Sequence, residues 1–202
     1  MRSRFREMLL KSFSRKARSV RLRPMMQSDE ALFHTLYTDP ETMRFVGAPW
    51  TPAEAVERFR ATLCRRGKTV VTDRFFVIEE KSSREAMGIC GSSHYDRANM
   101  RVEVGVMLLP LGRRAGVGRG ALMALVDHLF EEQLLVEVYA RIVAGHSAAE
   151  NLVKRASFLL DMVVRGGERD VGERQWSVHR STWRASQRPA AEVIDVQRDR
   201  FS

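Results

Sequence analysis

The sequence predicts an α/β domain, a mixed and largely antiparallel central sheet with helices on both faces. Three observations lead there. Apolar stripes at helical spacing and short strand-like apolar runs alternate along the chain. Their order is strand, helices, three antiparallel strands, helix, strand, helix, closing strands. One strand, Val102 to Leu109, is apolar nearly throughout, as a central strand buried on both faces would be.

Each element has its own signal. Val20-Arg21-Leu22-Arg23-Pro24 alternates and then meets proline, the pattern of a short edge strand. Ser28, followed by Asp29 and Glu30, starts a helix that carries Leu32, Leu36 and Tyr37. Asp39-Pro40-Glu41 starts a second, short helix. Thr51 caps a third, with Pro52 at its first position and Val56, Phe59 and Leu63 on one face. Arg74 to Glu79 and Met87 to Tyr95 are strands joined by a hairpin turn at Lys81-Ser82-Ser83-Arg84. After the apolar strand, Gly116 to Glu132 is a helix with Leu122, Leu125, Val126, Leu129 and Phe130 in one stripe. Leu134 to Val143 reads as a strand and Ala148 to Leu160 as a helix. Met162 to Arg165 and Gln175 to Trp183 are the closing strands. The sequence has no internal repeat.

At 202 residues, 44% hydrophobic and 29% charged, the chain has the balance of one globular domain with a sizeable core. It has no uninterrupted run of 18 apolar residues, so no membrane-spanning helix is expected. Two cysteines, Cys64 and Cys90, are too few for a disulfide framework or a cysteine-based zinc site, and no metal is expected. They read as free thiols in a reducing compartment. The net charge of +9 would suggest an acidic partner, but it is unevenly placed. Residues 1–23 hold nine Lys or Arg and one acid, Glu7; residues 184–202 hold four basic and three acidic residues. The span between them has 21 of each and is neutral. A folded nucleic-acid-binding face is therefore not expected.

The chain divides accordingly into a basic arm over residues 1–19, a globular domain over 20–183 and a polar tail over 184–202. In the arm, Phe5, Met8, Leu9 and Phe13 share one helical face among arginines. That pattern suits an anionic membrane surface, a docking arm for nucleic acid, or a transit peptide. It also suits a solvated leader, since chain ends are where disorder concentrates. It does not suit a secretory signal, because its only continuous apolar run is Met8-Leu9-Leu10. The expected compartment is the cytoplasm, with organellar import through the arm left open.

The segment with the clearest chemistry begins where the apolar strand ends. Val106-Met107-Leu108 runs on through Leu109-Pro110-Leu111-Gly112 into Arg113-Arg114-Ala115-Gly116-Val117-Gly118-Arg119-Gly120, which opens an amphipathic helix. A turn of this kind presents consecutive free N–H groups, and the helix N-terminus adds the positive end of its dipole. Together they suit a pyrophosphate. Gly116, Gly118 and Gly120 allow a ligand close to the backbone. Arg113, Arg114 and Arg119 can pair with phosphate oxygens. The segment is not a P-loop, which needs a Gly-Lys-Ser/Thr ending. It is also a poor dinucleotide fingerprint, lacking the third glycine at the right offset.

Arg113-Arg114-Ala115-Gly116-Val117-Gly118 resembles the acetyl-CoA signature of the GNAT N-acetyltransferases, Gln/Arg-x-x-Gly-x-Gly/Ala. The resemblance covers most of residues 20–183. Leu22-Arg23-Pro24 with Ser28-Asp29, and Asp39-Pro40-Glu41-Thr42-Met43, resemble the opening of the subfamily that includes the ribosomal-protein N-terminal acetyltransferases. Trp176 to Trp183 resembles its closing strand. The resemblance implies a splayed sheet with acetyl-CoA held between residues 102–109 and 134–143. It places the pantetheine on the backbone of Val106, Met107 and Leu108, and the pyrophosphate on Arg114 through Gly120. The chain also departs from the family pattern. His146 falls where an asparagine is expected and Ser157 where a glycine is expected. Ala149 takes the usual serine position and Val153 that of the tyrosine used elsewhere as general acid.

Acetylating an amine requires its neutral form, and amine pKa values lie at about 8 to 10.4, so a base is useful near pH 7. Three residues are candidates. Glu103 begins the central strand, where members of the family often carry an acid. His94 ends the preceding strand. His146 sits at a strand-to-helix junction near the expected thioester. The expected activity is direct acetyl transfer from acetyl-CoA to a primary amine, on a small molecule or a protein N-terminus. The alternative is a GNAT-fold regulatory module that binds acyl-CoA with little or no transfer. Monomer and homodimer are both open.

Overall fold

Val20–Pro24 (β1) alternates side chains across one edge of a sheet, and two buried carboxylates, Asp29 and Glu79, gather on its arginines. The structure, a computed structural model, describes residues 20–64, 74–114, 116–132, 134–164 and 172–187. The arm, residues 65–73, Ala115, Gln133, residues 165–171 and the chain after 187 lie outside the described residues. The expectations for the arm and for Arg165 therefore have no counterpart here.

Arg21 and Arg23 of β1 both grip Glu79 on the adjacent strand, each at 2.5 Å. Arg23 also holds Asp29 at 2.7 Å. Asp29 in turn accepts from the Met26 N–H at 2.7 Å and closes a 3-10 turn, Gln27–Asp29, ahead of the first helix. The start expected at Ser28 is thus built by Asp29, because an ionised carboxylate facing an arginine accepts more strongly than a hydroxyl. Glu30–Thr38 (α1), Pro40–Met43 (α2) and Pro52–Cys64 (α3) follow. Asp39 caps α2 through the Thr42 N–H at 2.9 Å. Thr51 and Glu54 form a reciprocal capping box on α3, at 3.3 Å and 2.7 Å.

Arg74–Glu80 (β2), Ala86–Asp96 (β3) and Arg101–Leu108 (β4) form an antiparallel meander. Val117–Glu132 (α4) leads to Glu137–Val143 (β5). Ser147–Arg155 (α5), Leu159–Val164 (β6), Glu173–His179 (β7) and Arg180–Gln187 (α6) complete the fold. The seven strands lie in the order β1-β2-β3-β4-β5-β7-β6, and only β4 and β5 pair in parallel. The expected mixed, largely antiparallel GNAT-like sheet is therefore what forms.

Two apolar clusters cover the sheet. Phe76 and Ile78 of β2 and Val102 and Val104 of β4 pack with Leu122, Leu125 and Leu129 of α4. Val77 of β2 and Ile89 of β3 pack with Phe33, Leu36 and Phe59 of α1 and α3. Alternate residues of one strand thus face opposite helical layers, as a period of two requires.

Three boundaries differ from expectation. The helix expected from Ala148 to Leu160 stops at Arg155, and Leu159 and Leu160 belong to β6. Ser157 takes a left-handed φ of 66°, and the Phe158 N–H turns back to the Val153 carbonyl at 3.0 Å. This C-terminal cap ends the helix at the point where a glycine is usual. The strand expected from Leu134 starts at Glu137. The closing strand expected to reach Trp183 ends at His179, and Arg180 to Gln187 is helical instead of strand and irregular tail. Arg180 fixes that corner by donating Nε to the Leu135 carbonyl at 2.6 Å and Nη1 to that of Phe130. Trp183 donates to Asp127 of α4 at 2.7 Å. No helix among the described residues is long and apolar enough to cross a membrane.

Candidate active site

The parallel pairing of β4 with β5 covers three positions and ends at Glu103 opposite Tyr139. Past that point each strand keeps its outer partner. Val104 to Leu108 stay paired to β3, and Ala140 to Val143 stay paired to β7. The inner edges diverge, so N–H and C=O groups of β4 face open space. A cleft of about 780 Å³ lies here, walled by Val106, Met107 and Leu108 of β4.

The turn after β4 forms one end of the cleft. Gly112 packs so tightly on β3 that an added Cβ would stand 2.2 Å from the Met87 carbonyl oxygen. Gly116 has φ 95°, and a Cβ on Gly118 would stand 3.3 Å from Leu108. Gly116, Gly118 and Arg119 line the cleft with Arg113 and Arg114. Val117 and Gly120 are buried and do not line it. Ala115 lies outside the described residues.

The loop arginines differ in what they hold. Arg113 donates to Glu41 at 2.6 Å and to Thr42 at 3.0 Å, so it ties the turn to α2. Arg114 donates to the Leu111 carbonyl at 3.0 Å and lies 3.6 Å from Glu80. The Nε of Arg119 is buried and has no hydrogen-bond partner among the described residues. A buried donor beside a cleft is a group waiting for an acceptor.

The far wall and the roof carry little signal in the sequence. Ala148, Ala149, Asn151, Leu152 and Arg155 of α5 form the wall. Arg44, Phe45 and Val46, after α2, form the roof. Apart from Ala149, at the usual serine position of the family pattern, no motif marks these residues, because the two segments are about a hundred positions apart and only the fold brings them together. Val153, at the expected tyrosine position, turns into the core instead, and Leu152 faces the cleft.

The three acid–base candidates separate. His146 lines the cleft, and its ring stacks on Phe45 with centroids 4.1 Å apart and planes 12° apart. Burial holds its pKa below the usual 6.5, although Glu150 pulls the other way. The imidazole is therefore neutral at pH 7 and able to accept a proton. Glu103 and His94 do not line the cleft. Glu103 accepts from Arg141 at 2.7 Å and 3.0 Å, across the fork where the strands part. The Nδ1 of His94 stands 3.2 Å from the same carboxylate oxygen, and its side chain is 64% exposed.

Cys90 is buried, which pushes its thiol pKa up, and Cys64 is exposed. No group of three or more His, Cys, Asp or Glu among the described residues is placed to hold a metal ion.

The family model for the acetyltransferase (GNAT) domain matches residues 19–158. The chain belongs to the GNAT acetyltransferase family. No curated protein matches the sequence. Solved GNAT-fold structures resemble it at low identity. A spermidine N-acetyltransferase from Vibrio cholerae, in complex with CoA and spermine, is 15% identical with a TM-score of 0.71, covering 82% of this chain and 98% of its own. RimL, a ribosomal L7/L12 alpha-N-protein acetyltransferase in complex with coenzyme A, is 14% identical with a TM-score of 0.69, covering 80% and 94%. A GNAT-family acetyltransferase from Bacillus anthracis is 13% identical with a TM-score of 0.68, covering 80% and 95%. The GNAT family match ends at Phe158, so β6, β7 and α6 lie beyond it.

Proposed function

We propose that this chain transfers an acetyl group from acetyl-CoA to a primary amine, directly and within a ternary complex. The observation that carries this is the buried Nε of Arg119, without a partner among the described residues, beside Gly118 at the end of a cleft edged by the inner backbone of β4. Those residues fit acetyl-CoA. Arg119, the N–H groups at the start of α4 and Gly118 would hold its pyrophosphate. The free edge of Val106 to Leu108 would pair with the amide-bearing arm. The relatives of the same fold with CoA bound support this reading.

When bound, acetyl-CoA supplies an activated acyl group. Across the whole reaction, the amine nitrogen gains the acyl carbon, the carbon–sulfur bond breaks, and one amine proton ends on the released thiol. The chain's own contribution is position and proton movement. N–H groups on the inner edge of β4 are free to donate to an oxyanion. His146, neutral and inside the cleft, accepts the amine proton. Glu103, with its carboxylate on Arg141 and His94, fixes the fork. Holding both reactants in one cleft accounts for much of the rate. Protein N-termini and small amines both remain acceptor candidates. The spermidine and ribosomal-protein enzymes of the same fold act on one of each kind.

Gly118→Trp tests the reading. A Cβ at this position would meet Leu108 and Leu152 within 3.6 Å, so an indole there must occupy the cleft. Calorimetric titration should show acetyl-CoA binding to the wild type and none to the variant. Thiol release over a panel of amines and N-terminal peptides then identifies the acceptor. Binding with no release across the panel would favour the regulatory module, and no binding by folded wild type would overturn the proposal.

A further inference from the structure

Phe45 and His146 come from opposite walls of the cleft, yet their rings lie nearly parallel in contact. Phe45 belongs to the segment after α2, and the Arg44 guanidinium lies 5.1 Å from its ring centroid. His146 is the N-cap residue of α5, and its side chain makes no capping hydrogen bond. A capping role would have explained this histidine, and it does not fill one. Its ring is instead held by a flat apolar face, the arrangement that fixes an imidazole in orientation while leaving its nitrogens at the ring edge.

We propose that Phe45 is a positioning residue that clamps the imidazole of His146 over the cleft and keeps it in the orientation that takes the acceptor's proton. This rests on the acetyltransferase reading above. The stack joins the roof segment to the proton-carrying group at the start of α5. It also shields one ring face from water, which favours the neutral form. The charged groups around the ring are few. On α5 these are Glu150, already engaged by Arg174 and Lys154, and Arg155. The roof brings Arg44 and Glu41, and the loop brings its three arginines. The lining from β4 is apolar.

The experiment compares Phe45→Leu, which keeps apolar cover without the flat face, with Phe45→Tyr, which keeps the ring. The histidine ring signals are titrated by NMR, with His146→Gln used to assign the His146 signal. In the wild type, His146 should titrate below 6.5. Phe45→Leu should move that titration toward 6.5, and Phe45→Tyr should leave it where the wild type has it. In thiol release, Phe45→Leu should cut kcat about tenfold, part of the roughly 10²–10⁴ that a placed acid–base group supplies. KM for acetyl-CoA should change far less. Phe45→Leu should have no further effect on kcat in the His146→Gln background. An unmoved His146 titration in Phe45→Leu would overturn the proposal. So would an equal loss of kcat with and without His146. The ring titration reads the clamp whether or not an acceptor is found, so its failure is distinct from failure of acetyl-CoA to bind.

Discussion

Arg119 carries a local energetic cost that an acceptor in the cleft would relieve. Its Nε is removed from water and lacks a protein acceptor among the described residues, a cost of about 1–3 kcal/mol for a buried donor. Replacing it by a side chain of similar length without the donor removes that cost. Arg119→Met should leave thermal stability unchanged or higher while weakening acetyl-CoA binding by roughly 10- to 100-fold, the worth of one charge-assisted hydrogen bond. Calorimetry and thermal unfolding on the same sample check both halves. Arg113 should behave differently, because it already has Glu41 and Thr42 and its loss loosens the roof.

Among the elements, α6 depends most on tertiary contact. Trp183 reaches across to Asp127 on α4, and Arg180 caps the ends of neighbouring segments. Burial raises the pKa of Asp127, and the Trp183 hydrogen bond opposes that rise. Trp183→Phe keeps the aromatic bulk and deletes the donor. It should destabilise the fold by about 2 kcal/mol, the range for a hydrogen bond to a charged group, and raise the Asp127 pKa further. Urea unfolding at pH 7 measures the first effect. The element boundaries show how far a local pattern reaches. The cap at Thr51 was legible because its partners all lie within four residues. The end of α5 was not, because the residue that turns the chain is a serine in a conformation that glycine normally serves. Nor was α6, since the contacts that hold Arg180 and Trp183 reach Phe130, Leu135 and Asp127, some 45 to 56 positions away along the chain.

For the whole molecule, stability should fall in two steps as the solution is acidified. His146 has a folded pKa below the usual 6.5, so below pH 6.5 the unfolded chain binds a proton that the folded chain refuses. Stability is therefore lost as pH drops from 6.5 toward the folded value. Glu79 acts lower. Burial works to raise its pKa, but the hydrogen bonds from Arg23 and Arg21 prevail and hold it below the ordinary 4.5. Its stabilising effect is present above 4.5 and is lost as pH falls through the folded value. His146→Gln should remove the first step, and Glu79→Gln should reduce the second, to which Asp39, Glu54 and Asp96, with pKa values also lowered, contribute as well. Glu79→Gln should also cost about 2 kcal/mol at pH 7, since both arginines lose their charged acceptor. Urea unfolding between about pH 3 and pH 8 checks the order of the two steps.

What the sequence determined by itself was local and periodic. Strand alternation, helical stripes and caps specified the sheet, and the run from Val106 through the glycine–arginine turn into α4 specified one wall of the cleft. All of that can be read because each signal lies within a few residues along the chain. The tertiary structure decided what had to be assembled across distance. It parted β4 from β5 beyond Glu103, set the Arg44–Val46 segment over α5, and brought Phe45 onto His146. It also withdrew Glu103 and His94 from the cleft by pairing them with each other and Glu103 with Arg141. A side chain's chemistry is local, but its partners, its exposure and therefore its pKa belong to whatever the folded chain places beside it.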